Sequence, residues 1–90
     1  MFDFEWDEAK RISNAEKHKI DFRRARDIFD GRGIYIQLRL QNEEIRLVVT
    51  GELDSALITV IATIRGGRLR LISARKARDE EKWRYRRLYS

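Results

Sequence analysis

Phe2, Phe4 and Trp6 alternate with Asp3 and Glu5, a period of two that predicts a short strand over residues 2–6 with its aromatic side inward. Asp7 is a good N-cap for a helix running to about His18, and Glu8 adds negative charge in its first turn. The apolar stripe of that helix is thin, with Ala9, Ile12 and Ala15 only. Asn14, Lys17 and His18, spaced by three and four, share a face. Asp21 caps a second helix in which Phe22, Ala25, Ile28 and Phe29 recur at helical spacing, and Asp30-Gly31-Arg32-Gly33 stops it.

The period then returns to two. Residues 34–40 alternate Ile34, Ile36, Leu38 and Leu40 with Tyr35, Gln37 and Arg39, and Gln41-Asn42 reads as a turn. Residues 45–53 and 57–64 are β-branched and apolar on both faces, as central strands covered twice should be, with Asp54-Ser55 between them. Gly66-Gly67 suits a two-residue hairpin, and 68–75 forms the last strand. A final helix starts near Ala77 or Asp79, with Asp79 as its cap. It places Ala77, Glu81, Tyr85, Leu88 and Tyr89 on one face and Trp83 on the other, among Glu80, Arg84 and Arg87. A carboxylate in an apolar stripe needs a cation, so Glu81 is predicted to be buried and paired, with Arg75 the nearest partner. The order β-α-α-β-β-β-β-α predicts an α+β fold: one antiparallel sheet, two N-terminal helices on one face and one C-terminal helix.

Charge sharpens this picture. The formal net charge is +5, but it is polarised. From Arg65 onward, ten basic side chains face three acidic ones, whereas residues 1–64 carry ten basic and twelve acidic. A cationic end on a small chain points to a polyanion, an acidic protein partner, or both. With no cysteine and one histidine, disulfides, thiolate chemistry and a structural zinc site are not expected, nor is any cofactor. No apolar run approaches the roughly 18 residues of a membrane span, and the acidic N-terminus lacks a signal-peptide core. These features predict a single domain over residues 1–90, cytoplasmic and away from membranes.

Several segments, taken in order, resemble the BrnT family of type II toxins, which have a RelE-like ribonuclease fold. They are FEWDEAK from Phe4 to Lys10, then N-x-x-K-H as Asn14, Lys17 and His18. An acid at Glu44 follows, with Arg46 and then Gly51 at a strand end. Arg65 precedes Ile72-Ser73-Ala74-Arg75-Lys76-Ala77, and Glu81 and Tyr85 follow. Three positions depart from the family pattern: Lys19 stands for a glycine, Ala62 for a tyrosine, and Arg78 for a Ser/Thr helix cap.

The resemblance implies a metal-independent endoribonuclease that inhibits translation, neutralised by a BrnA-like antitoxin. It also implies contact with operator DNA only through the antitoxin complex, and assembly as a homodimer or heterotetramer. For cleavage, in-line attack of a 2′-hydroxyl on the adjacent phosphate builds negative charge that preorganised cations stabilise, and arginine's fork matches phosphate. Arg46, Arg65 and Arg75 are the candidate cations, Lys17 or His18 the proton-transfer group, and Tyr85 an orienting hydroxyl. Arg68, Arg70 and Lys76 are candidate RNA contacts. Trp83, Arg84 and Arg87 are candidate partner contacts, since an exposed indole suits an interface.

Each assignment has a plainer counterpart. Lys17 and His18 complement a helix dipole; Arg46 pairs with Glu44 along a strand; Arg75 serves only Glu81; Tyr85 is core; Arg68 and Arg70 form a solvated strand face. Trp83 lies over the stems of Arg84 and Arg87. At the level of function, the alternative to a nuclease is a non-catalytic subunit, binding nucleic acid or protein in an autoregulatory repressor complex.

Overall fold

The computed structural model describes residues 3–89. The chain runs β1 (Phe4–Trp6), α1 (Glu8–His18), α2 (Phe22–Ala25), a 3₁₀ turn (Arg26–Phe29), β2 (Ile34–Gln41), β3 (Glu44–Leu53), β4 (Ala56–Arg65), β5 (Arg68–Lys76) and α3 (Asp79–Tyr89). The five strands form one sheet in the order β1-β5-β4-β3-β2. Strands β2 to β5 are an antiparallel meander. β1, however, lies parallel to β5, with Phe4 opposite Leu69 and Trp6 opposite Leu71, so the sheet is mixed and not antiparallel throughout. The reason is connectivity. The chain leaves β1 through two helices, which lets β1 run in the same direction as β5 at the β5 edge of the meander. Phe2, read as part of this strand, lies outside the described residues.

Local chemistry explains the elements. Asp7 accepts from the Lys10 amide and Asp21 from the Arg23 amide, the N-caps read from sequence. The second helix is shorter than its pattern implied: one α-turn, then the 3₁₀ turn. Three two-residue turns carry positive φ at both positions, the geometry that matches strand twist: Asn42-Glu43, Asp54-Ser55 and Gly66-Gly67. The first is shifted by one from Gln41-Asn42, because Gln41 still pairs with Glu44.

Phe22, Ala25 and Ile28 lie against Val49, Ile58, Val60, Ala62, Leu69, Leu71 and Ala74, so α2 and the 3₁₀ turn sit on the core face of the sheet. α1 sits on the same face, beside β5, held through Asn14. Its side-chain amide donates to the carbonyls of Ile20 and Ala74 (2.9 Å each) and accepts from the Ala74 amide (3.1 Å). Asn14 is the buried residue of that helix. α3 crosses the opposite, outer face. Its Tyr89 hydroxyl donates to the Ile34 carbonyl (2.6 Å) and accepts from the Ile34 amide (3.0 Å).

One irregularity decides what faces outward. The β4–β5 register shifts between Ile61 and Ala62, which puts a bulge in β5: Ala62 faces Leu71, whereas Ile61 faces Ser73. Leu71 and Ala74, three apart, therefore both enter the core, and Arg75 emerges on the outer face.

Candidate functional site

The outer face reads as rows across the strands, because paired residues share a face. One row runs Tyr35, Thr50, Thr59, Arg75; another runs Arg39, Arg46, Thr63, Arg70, Glu5. The rows are four residues apart on β4, or about 13 Å at a strand's rise. α3 covers the first row, and the second lies at the open end of the face, with Arg65 and Arg68 beyond it.

Glu81 anchors the covered end. It is 5% exposed. Arg75 Nη1 donates to its Oε1 at 2.8 Å and Nη2 to its Oε2 at 2.9 Å. The Thr59 hydroxyl (2.9 Å) and the Arg78 amide (2.8 Å) donate to Oε1, and Thr50 lies 2.9 Å from the Thr59 hydroxyl. Burial raises the Glu81 pKa, but the Arg75 fork, the Arg78 amide and the Thr59 hydroxyl outweigh it and bring the value down to about 2. The contact with Arg78 also corrects the helix start. Arg78 precedes the first helical residue and its carbonyl accepts from the Lys82 amide, so Arg78, not Asp79, holds the cap position. An arginine side chain cannot accept a hydrogen bond, and Glu81 instead reaches back to the exposed amide, half of a capping box.

The open end is cationic. Arg70 pairs with Glu5 at 2.8 Å, Arg68 lies 3.9 Å from the same carboxylate, and Arg46 lies 3.8 Å from Glu44. Arg46 Nε is buried with no hydrogen-bond partner among the described residues. Arg39 stands directly opposite Arg46, and Arg65 opposite Arg68. Like charges facing each other across a strand pair are destabilising, and this face carries two such pairs.

Lys17 and His18 lie elsewhere, in a groove with Lys10, Ser13, Asn14, Ile72 and Ser73 at the end of β5 beyond the reach of β1. Lys19 closes α1 in the left-handed region, φ 62°, at the position where the resembled family has glycine. Tyr85 packs its ring 4.8 Å from Tyr89, and burial raises its pKa. With Lys76, it lines a groove on the far side of α3. The six candidate catalytic residues thus occupy four places: the Lys17–His18 groove, the Glu81 cluster for Arg75, the open face for Arg46 and Arg65, and the α3 groove for Tyr85.

Trp83 is 54% exposed, with the Arg87 guanidinium 4.9 Å from its ring centre, while Arg84 pairs with Glu80. Leu88, read as inward, is exposed, while its neighbour Tyr89 holds the last turn of α3 to Ile34. Ala62 is fully buried on the core face, so a side chain there points away from the arginines. Sequence reading missed Thr50, Thr59 and Arg39. The first two had a signal: the Asp54-Ser55 turn fixes Thr50 opposite Thr59. Among the described residues no three His, Asp or Glu side chains gather as metal ligands, and no helix is long and apolar enough to cross a membrane.

No curated protein matches the chain. The family described as the ribonuclease toxin, BrnT, of type II toxin–antitoxin systems matches residues 6–81, from the last residue of β1 to the carboxylate that anchors α3; Tyr85 and Trp83 lie beyond it. With most of the sheet and its cationic face inside that match, the chain belongs to the BrnT family of ribonuclease toxins.

Proposed function

We propose that this chain is an endoribonuclease with a RelE-like fold that cuts RNA without a metal, inhibits translation and is held inactive by a BrnA-like antitoxin. The observation that carries this reading is the open half of the outer sheet face. It presents Arg39, Arg46, Arg65, Arg68 and Arg70, and among the described residues Arg39 and Arg65 have no acidic partner. Two opposed like-charge pairs and a buried, unpartnered Arg46 Nε are relieved when phosphate oxygens enter the face.

In this reading Arg46 and Arg65 stabilise the phosphorane formed as the 2′-hydroxyl attacks. Arg68, Arg70 and Lys76 hold the flanking backbone. Arg75, its fork fixed by Glu81, adds charge at the end of β5. Lys17 or His18, in a separate groove beside Ser73 on β5, takes the 2′-hydroxyl proton or returns one to the leaving 5′-oxygen only if that groove closes onto the phosphate held by the arginines. Tyr85, on α3, orients the strand. Trp83, Arg84 and Arg87 contact the antitoxin, which alone carries the complex to operator DNA.

Incubating the purified chain in EDTA with an RNA oligonucleotide and its all-deoxy counterpart tests the reading. Cleavage of the RNA only is expected. Binding of both without cleavage of either favours a non-catalytic nucleic-acid-binding subunit instead.

A further inference from the structure

We infer that the apolar end of the core face, on β2, β3 and β4, is a docking surface for an amphipathic helix of the antitoxin, with basic side chains flanking its apolar row. Ile36, Leu38, Leu40, Ile45 and Ile64 are 48 to 76% exposed. The register puts them together on the face that α1, α2 and the 3₁₀ turn cover elsewhere: Ile36 is opposite Val49, Leu38 opposite Leu47, Leu40 opposite Ile45 and Ile64 opposite Leu69. A sheet face this apolar is normally closed by a second layer, and here the chain's own helices stop short of it.

The geometry selects a helix. Ile36 to Leu40 spans about 13 Å along β2, and Ile45 and Ile64 extend the patch about 10 Å across two strand spacings. That footprint fits two to three turns of a helix about 10 Å wide. A strand added to the free outer edge of β2 would leave Ile45 and Ile64, one and two strands further in, uncovered.

Charge selects the partner. The groove at this end is lined by Ile45, Leu47, Thr63 and Ile64, and, with Glu44 turned toward Arg46, the charge it offers is that of Glu43 in the β2–β3 turn. A second copy docking by two-fold symmetry would set this patch against itself, adding a second Glu43 of like charge. A helix with lysine or arginine beside its apolar row meets Glu43 favourably. The inference rests on the antitoxin partnership of the family and not on the cleavage chemistry, whose arginines lie on the opposite face.

The test uses the full chain and its cognate antitoxin, with dissociation followed by competition titration. Leu38→Glu should weaken the complex at least 100-fold, whereas Ile12→Glu, also apolar and exposed but on α1, should change it less than threefold. RNA cleavage by free Leu38→Glu should match the wild type, and a chain inactive on RNA leaves the binding result standing by itself. Unchanged affinity in both Leu38→Glu and Ile64→Glu overturns the inference. So does light scattering that finds the free wild-type chain a dimer and Leu38→Glu a monomer. Should Leu38→Glu fail to fold, hydrogen exchange on the wild type decides: antitoxin protection over 34–48 supports the inference, and protection confined to 79–89 overturns it.

Discussion

Arg75 and Glu81 meet fork to fork, at 2.8 and 2.9 Å, and so tie the end of the last strand to the first turn of the helix that follows. The carboxylate is buried, and four donor contacts converge on its two oxygens. Breaking such a pair from one side leaves a buried charge unmatched.

Glu81→Gln should therefore destabilise the chain by about 3–5 kcal/mol, while Glu80→Gln, at an exposed pair with Arg84, should cost at most about 1 kcal/mol. Denaturant melts of the two variants measure this. Equal midpoints would show that the cluster contributes nothing.

The same carboxylate sets an acid limit. Its pKa falls from an ordinary 4.5 to about 2 on folding. A lowered folded value means stability that is fully present above pH 4.5 and is lost as the pH drops toward 2. The gap between wild type and Glu81→Gln should hold constant at neutral pH and shrink through that window. A gap independent of pH would remove the ionised carboxylate from the account.

Lys19 holds a backbone conformation that suits glycine, φ 62°, with its amide bonded to the Ala15 carbonyl. Lys19→Gly should relieve about 1 kcal/mol of strain, a rise in Tm of about 4–8 °C for a chain of this size. A fall in Tm would mean the lysine side chain contributes more than the strain costs.

Asn14 differs from its neighbours Lys17 and His18. Its amide satisfies backbone groups of Ile20 and Ala74 that the fold otherwise buries. Asn14→Ala should cost about 2–4 kcal/mol by leaving several of these unpaired, and should reduce cleavage only through the folded fraction. Lost cleavage in an Asn14→Ala sample that is fully folded would assign Asn14 to the chemistry.

On the open face, Arg46→Ala should abolish or strongly reduce RNA cleavage at a stability cost below about 1 kcal/mol, since its pair with Glu44 is loose. Arg75→Ala should lose both activity and stability. Cleavage per folded molecule, with melting curves alongside, separates the two. Full activity in folded Arg46→Ala would remove Arg46 from the site.

Most elements of this fold were legible because period, caps and turns agree. Asp7 and Asp21 start helices, and Asp54-Ser55 and Gly66-Gly67 fix hairpins. The partnership of Arg75 with Glu81 was legible because a carboxylate in an apolar stripe demands a cation. Two things were not. Counting back from Gly66-Gly67 sets Thr59 opposite Ala74; the β5 bulge makes the partner Arg75, and no residue in Ile72-Ser73 announces it. The parallel pairing of β1 depends on which of the two meander edges it joins, a property of the assembled sheet. The candidate site was legible as residue types but not as a place, because the rows that separate Arg46 from Arg75 exist only across strands.

The parallel seat of β1 also has a consequence for the order of events at the ribosome. β1 pairs with residues 69–71, Glu5 reaches Arg70, and Asn14 bonds Ala74. None of these can form until β5, about 60 residues later in the sequence, has been made, and at a synthesis rate of about 5–20 residues per second that leaves β1 and α1 waiting for several seconds. Contacts spanning 60 or more residues close last and carry the largest loop-closure cost. The finished arginine face, with Glu5 beside Arg70, therefore comes into being only after β5 has left the ribosome, the machine whose work it is proposed to stop.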